Sequence, residues 1–260
     1  MEEYLEFAKR LAHEAGKIMK EYFAKEQGVE YKSDRTPVTI ADKKINDYVI
    51  EQVKTYYPEH SVDGEEAKNI LDSKYVWVCD PIDGTSMFTR GVPVSVFSLA
   101  LVCDGEPIVG VVYDPFLDDM YSAIKGYGAY CNNKQIKVNN LDYGEMGCSI
   151  DYCMWDKAKF DTLKLAKELR KKAKLCQVGS TAHAAMLVAK GCICAEIFPG
   201  TNHGHCDIAA SKLIVSEAGG VVTDFDGKEQ RYDQDINGAI LSNGKVHQKV
   251  LSVVHNVLDD

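Results

Sequence analysis

Apolar residues between Leu5 and Phe23 recur at helical spacing. Leu5, Ala8, Leu11, Ala12, Ala15, Ile18, Met19, Tyr22 and Phe23 form one stripe, which predicts an amphipathic helix. The stripe stops in YKSDRTPVTIAD (31–42), where Asp34 and Pro37 predict a loop. A second helix is expected from Ala41 to Tyr57, with Ile45, Tyr48, Val49 and Val53 on its apolar face and Pro58 past its end.

The period then changes. After HSVDGEEAKN (60–69), expected to be a loop, YVWVC (75–79) reads as a buried strand. From Val94 to Val138 the pattern is β: SVFSLALVC and PIVGVVYDP flank Asp104-Gly105-Glu106 as a hairpin, and DMYSAI, GAYC and KQIKVN continue a meander. Lys157 to Lys174 is expected to be a polar-faced helix carrying Phe160, Leu163, Leu165 and Leu169. AHAAMLVAKG (182–191) reads as a short helix, CICAEIF (192–198) as a buried strand and DIAASKLIVSEAGG (207–220) as a helix closed by paired glycines. VVTDF and GAILSN are expected strands, and HQKVLSVVHNVL (247–258) a last helix. Strands cluster between helices rather than alternating strictly with them. That predicts an α/β (α+β) fold of stacked helix and sheet layers, not a simple doubly wound sheet. One domain spanning 1–260 is expected, with possible subdomains 1–145 and 146–260 meeting near NNLDYGEMG (139–147).

Composition narrows the function classes. At 45% hydrophobic and 27% charged residues the chain is of ordinary globular type. No apolar run approaches the roughly 18 residues of a membrane span, and the acidic N-terminal residues Glu2 and Glu3 argue against a secretory signal. Nine cysteines, an odd number without a C-x-x-C pair, fit a reducing compartment, so a cytoplasmic location is expected. A net charge of −9 disfavours nucleic acid as partner but admits a small phosphorylated metabolite if bound cations reverse the local field.

The candidate chemistry lies in islands of acids. In DPIDGTS, Asp80 and Asp83 end a buried strand around Pro81, beside the Ile82 carbonyl; clustered oxygen donors of this kind suit Mg²⁺. Gly84, Thr85 and Ser86 follow and can open a helix whose free N–H groups accept phosphate. The competing reading is an Asp-capped turn. Glu65 and Glu66, on a glycine-containing loop, would alone be a solvated pair. Asp207 at the start of an apolar helix, and Asp42 at the start of the second helix, would each alone be a helix cap. His203, His205 and Cys206 suggest zinc, but no second Cys/His cluster stands at ligand spacing.

Taken in order, G-E-E at 64–66, D-P-I-D-G-T at 80–85 and C-D-I-A-A with E-A-G-G at 206–220 resemble the inositol monophosphatase family, and T-P-V-T-I-A-D at 36–42 resembles the segment that precedes them there. The resemblance covers nearly the whole chain, from about residue 5 to residue 255. It implies a layered αβαβα sandwich of the inositol monophosphatase / fructose-1,6-bisphosphatase type, a Mg²⁺-dependent phosphomonoesterase, a homodimer and sensitivity to lithium. Carried over by position, Glu65, Asp80 and the Ile82 carbonyl would hold one metal and Asp80, Asp83 and Asp207 a second, with a third ion held weakly through water at Glu65. Asp42 and Thr85 would orient the attacking water. Gly84, Thr85 and Ser86 would grip the phosphate, while Gly179, Ser180 and Thr181 match a loop lining the substrate pocket. The chemistry agrees with this picture: two cations about 3.5–4 Å apart activate a water and stabilise the leaving oxygen, and they need several acids to balance them.

Substrate choice departs from the pattern. Gly200 stands where inositol-preferring members carry an acid, and Cys206 replaces the tryptophan that usually precedes the metal-binding aspartate. Inositol 1-phosphate leads as the expected substrate. Histidinol phosphate, fructose 1,6-bisphosphate and adenosine 3′,5′-bisphosphate are alternatives within the family. Outside it stand a catalytically silent metal- and phosphate-binding protein and a partner-binding protein whose acids merely cap helices.

Overall fold

The computed structural model describes residues 1–25, 27–33, 35–153, 161–200 and 203–258. The chain opens on α1 (Glu2–Tyr22), passes a ribbon of β1 (Glu30–Tyr31) and β2 (Pro37–Val38), and enters α2 (Ile40–Tyr56). Next come β3 (Ser61–Gly64), β4 (Lys68–Asn69), β5 (Tyr75–Asp83) and the one-turn helix α3 (Thr85–Phe88). The meander is β6 (Val96–Cys103), β7 (Glu106–Asp114), β8 (Asp119–Ile124), β9 (Ala129–Cys131) and β10 (Lys134–Gln135). The second half runs β11 (Ser149–Tyr152), α4 (Thr162–Leu169), β12 (Lys174–Cys176), α5 (Thr181–Ala189) and β13 (Ala195–Phe198). It closes with α6 (Gly204–Glu217), β14 (Val221–Thr223), β15 (Ala239–Ser242) and α7 (His247–Leu258).

Beside the β1–β2 ribbon, the described residues form two larger sheets, one of eight strands ordered β10-β9-β8-β7-β6-β5-β3-β4 and one of five ordered β12-β11-β13-β15-β14. Side chains alternate across the large sheet, which is why its strands are apolar on both faces. Trp77, Cys79, Leu99 and Val109 pack under α1 and α2, while Val78, Ala100 and Val112 pack against α5 and α6. Phe198, Ala239 and Leu241 of the small sheet reach the same α5–α6 layer, and Ile150, Ile197 and Ile240 turn to α4 and α7 on its other face. The order of layers is therefore αβαβα, as the resemblance implies. Gly110 sets the spacing of the middle: a Cβ there would lie 3.1 Å from the Ala210 carbonyl oxygen, so only glycine lets α6 approach β7 this closely.

Several expected boundaries differ. The loop expected at 31–42 contains β2 and the first residues of α2, and β2 pairs with β1 (Asp34 lies outside the described residues). The loop expected at 60–69 contains β3, which pairs in parallel with β5. SVDG carries little strand signal because its polar groups are bonded internally: Ser61 Oγ donates to the Leu71 carbonyl and Asp63 pairs with His205. Lys174, expected to end a helix, begins β12, and α4 starts at Thr162; residues 154–160 lie outside the described residues. α6 starts at Gly204 on a left-handed His203, so Asp207 sits inside the first turn and is not the cap.

The best-defined aromatic cluster lies between α1 and the large sheet. Trp77 is fully buried, packs on Phe7 at 5.3 Å between centroids, and donates its Nε1–H to His60 Nδ1 at 3.2 Å. Trp77→Ala should cost ~3–5 kcal/mol, read as a lower urea midpoint at unchanged slope.

Candidate active site

The site begins with an irregularity at the end of β5. Asp80 faces Ser98 on β6 and Asp83 faces Val96, so three steps on one strand match two on the other. A regular strand would point residues three apart to opposite faces; one extra residue brings both carboxylates to the same side. Pro81 suits the bulge, since it has no N–H to leave unpaired. The Ile82 N–H donates to Asp80 Oδ1 at 2.9 Å, which fixes that carboxylate at the strand end.

Asp207 comes from the first turn of α6, and carboxylate oxygens of Asp80, Asp83 and Asp207 all lie within 4.8 Å of one another. Burial raises the Asp80 carboxyl well above the usual range, and Glu65, Asp207 and Asp83 push it the same way. Burial raises Asp83 too, against the lowering pull of its donors, the Ser180 hydroxyl and the Ala182 N–H at 2.8 Å.

Asp42 holds two positions at once. It completes a capping box with Thr39 at the start of α2, accepting the Thr39 N–H at 2.8 Å on Oδ2. Its Oδ1 lies 3.2 Å from Thr85 Oγ1, whose single proton can go there or to the Ile82 carbonyl at 2.8 Å. Burial raises the Asp42 carboxyl to about 7, the Thr39 bonds opposing it and Glu65 and Glu66 adding to it. The helix cap expected of this residue is present, and the same carboxylate also reaches Thr85.

Glu65 leaves the end of β3 beside Asp80, its N–H donating to the Cys79 carbonyl at 3.0 Å. Its carboxylate lines the same pocket but is engaged by Lys32, whose Nζ lies 2.7 Å from Glu65 and 2.6 Å from Glu66. Lys32, on the turn between β1 and β2, went unnoticed in the sequence. Lys32 occupies Oε1 of Glu65 and leaves Oε2 for a cation.

Gly84 precedes α3 with φ +85°, and a Cβ there would lie 2.9 Å from Ser180 Cβ, so the position excludes other residues twice over. The opening N–H groups of α3, from Thr85 and Ser86, have no acceptor within the helix. Gly179 (φ +86°), Ser180 and Thr181 form the opposite wall, with Ser180 capping α5 by accepting the His183 N–H. The cavity between them has a volume of about 360 Å³.

Two further acids line this cavity. Asp151 on β11 and Glu196 on β13 are directly opposed on neighbouring parallel strands. Glu196 is 1% exposed, and neither of its carboxylate oxygens has a hydrogen-bond partner. Burial raises its carboxyl well above the usual range and raises Asp151 to about 6. The available signal was a charged residue inside each of two apolar runs, SIDYC and CICAEIF. Clustered oxygen donors on rigid elements are a donor set that suits Mg²⁺, which keeps several of its own waters.

Comparison with known proteins comes to the same place. A model of the inositol monophosphatase family matches residues 1–259. A fructose-1,6-bisphosphatase/inositol-1-monophosphatase of Thermotoga maritima is 30% identical over 260 residues, covering 98% of this chain and 97% of that one. The solved Thermotoga maritima IMPase superposes with a TM-score of 0.90 at 31% identity, over 99% of this chain and 98% of that one. An IMPase/NADP phosphatase solved with Mg²⁺ and phosphate superposes with a TM-score of 0.80 at 28% identity, over 95% and 92% of the two chains.

The raised carboxyls set a pH dependence. Between each group's unfolded and folded pKa, the native state keeps a proton that the unfolded chain has lost, so stability falls as pH rises through that window. For Asp42 and Asp151 the window runs from the usual carboxylate range up to about 7 and about 6. The melting temperature of the metal-free protein should therefore fall from pH 5 to pH 8, and millimolar Mg²⁺ should raise it more at pH 8 than at pH 5. Equal shifts at both values would detach the acids from the metal.

Proposed function

The chain belongs to the inositol monophosphatase family, hydrolases of phosphate monoesters, and from that premise we propose that it releases phosphate from a small polyol phosphate, with inositol 1-phosphate the leading substrate. The observation that carries this reading is the meeting of Asp80, Asp83 and Asp207 within 4.8 Å, beside the Thr85–Asp42 pair. Each position that the reaction needs is filled, which argues against a silent relative.

Glu65, Asp80 and the Ile82 carbonyl would hold one Mg²⁺ and Asp80, Asp83 and Asp207 another, with room at Glu65 for a third through water. When bound, the ions supply Lewis-acid charge at the attacking water and at the leaving oxygen. The protein's own groups do the positioning. Asp42, anchored by Thr39, accepts a hydrogen bond from the Thr85 hydroxyl, which leaves a lone pair of Thr85 Oγ1 to accept a hydrogen bond from the water and aim it. Gly84, Thr85 and Ser86 present backbone N–H groups to the phosphate, and Ser180 keeps Asp83 turned into the site.

Recognition of the alcohol is shifted. Gly200 cannot be exchanged freely for the missing acid: its φ is +90°, and a Cβ would stand 3.0 Å from the Gly238 nitrogen. Glu196 and Asp151, on the deep wall, offer oxygens to the substrate hydroxyls instead. The Thermotoga relative carries two activities in its name, so fructose 1,6-bisphosphate is the first alternative. Family membership supports the companion expectations of a homodimer, lithium inhibition and a cytoplasmic location; no helix among the described residues is long and apolar enough to cross a membrane.

Asp42→Asn should keep its Mg²⁺ dependence while kcat falls about 10²–10⁴-fold, measured by phosphate release; an unchanged kcat would remove the pair from the mechanism. Glu196→Gln should raise KM for inositol 1-phosphate and fructose 1,6-bisphosphate about tenfold, the order of one hydrogen bond to a charged group, with histidinol phosphate and adenosine 3′,5′-bisphosphate as comparison substrates. Wild-type release from neither polyol phosphate would overturn the substrate assignment.

A further inference from the structure

One residue before Asp207, a different set of side chains converges. Asp63 from β3 meets His205 and Cys206 from the first turn of α6, at 7%, 1% and 0% exposure. His205 Nε2 lies 3.1 Å from Asp63 Oδ2 and 3.7 Å from Cys206 Sγ, and donor atoms of all three fall within 4.8 Å of one another. Zinc bonds nitrogen and oxygen at about 2.0–2.2 Å and sulfur at about 2.3 Å in a tetrahedron, which sets N···S near 3.6 Å and N···O near 3.3 Å. Both of the measured separations are already within a few tenths of those values.

The surrounding groups also suit an ion. A histidine that binds a metal through one nitrogen hands the other to a carboxylate or carbonyl. His205 Nδ1 is buried without a hydrogen-bond partner, yet faces Asp235 Oδ1 at 3.6 Å. The His205–Asp63 hydrogen bond uses Nε2 alone and leaves Nδ1 unbonded. On the other side, Lys68 Nζ lies 2.7 Å from the second oxygen of Asp63 and would hold that carboxylate in place. The sequence alone offered no partner for His205 and Cys206 because Asp63 lies far upstream, in a stretch read as a loop.

We propose that Asp63, His205 and Cys206 form a zinc site, separate from the carboxylate trio, that ties the end of β3 to the start of α6. Binding replaces two hydrogens: the thiol proton leaves to solvent, and the imidazole keeps its single proton, moved from Nε2 to Nδ1 toward Asp235. Thiolate and imidazole select zinc, whereas the all-oxygen trio selects Mg²⁺, so the two neighbouring sites sort the ions by donor chemistry. The bound ion fixes two segments that matter elsewhere, because Asp63 stands two residues before Glu65 and Cys206 directly precedes Asp207. The site does not depend on the phosphatase reading and can be tested apart from it.

The experiment uses the full chain in excess Mg²⁺, loaded with Zn²⁺, desalted and measured for zinc, with Co²⁺ loading in parallel. Wild type should retain one zinc per chain, and the cobalt form should show a near-ultraviolet thiolate-to-cobalt band. Cys206→Ser and His205→Gln should each lose the band and the retained zinc, Asp83→Asn should keep both, and Asp235→Asn should weaken zinc about 10–100-fold. Circular dichroism identifies any variant that fails to fold, and the remaining ones then decide. No zinc retained by wild type, a band that survives Cys206→Ser, or one that disappears in Asp83→Asn overturns the site.

Discussion

Crowding carboxylates in a dry place is the constraint around which this molecule is arranged. Asp42, Asp80 and Asp83 are buried with their carboxyls raised, and Asp207 stands half-buried among them. An isolated buried carboxylate is costly, so each must meet a donor, a proton or a cation. Helix starts supply much of the compensation. Asp42 sits in the first turn of α2, Asp207 in that of α6, and Asp83 accepts an N–H from the first turn of α5. The αβαβα stacking brings these three helix ends to one edge of the large sheet, at the bulge of β5. What the helices leave uncompensated is the part a divalent ion can take.

The layers and most helices were legible because their signal is periodic and local. α1 and α7 announce themselves by apolar spacing, and the meander by turns and alternation. β3 was missed because its four residues, SVDG, carry almost no apolar pattern, and its place between β4 and β5 is fixed by the parallel pairing. Tertiary hydrogen bonds, not propensity, make it a strand. The displaced start of α6 has a similar cause: its first residue follows a left-handed His203, a conformation no pattern of hydrophobicity encodes.

The candidate site was legible to the extent that its residues stand in compact strings. D-P-I-D-G-T and its companions could be located, and the fold brings Asp42, Asp80, Asp83, Thr85 and Asp207 together. Lys32, Asp151 and Glu196 were missed because each is a single charged residue in an otherwise plain segment. Their significance depends on what faces them: Glu65 for Lys32, and one another for the two strand acids. The helix cap expected of Asp42 and its contact with Thr85 coexist, because one carboxylate oxygen serves each. A helix cap is a rigid mount, which suits the water-orienting role proposed for this carboxylate.

The same reasoning bears on how substrate choice can change while the reaction stays. Asp80, Asp83, Asp207 and Asp42 are mounted on a bulge, a capping box and helix starts. On the wall proposed to face the alcohol, Glu196 has no such bonds. At Gly200 the backbone has turned left-handed against Gly238, which shuts out a side chain at that rim. At Glu196 a carboxylate stands on a central strand of the small sheet, pinned between β11 and β15 and bonded to nothing. On the proposed reading, the fixed position of Glu196 favours substrates whose hydroxyls fall at a set depth from the phosphate.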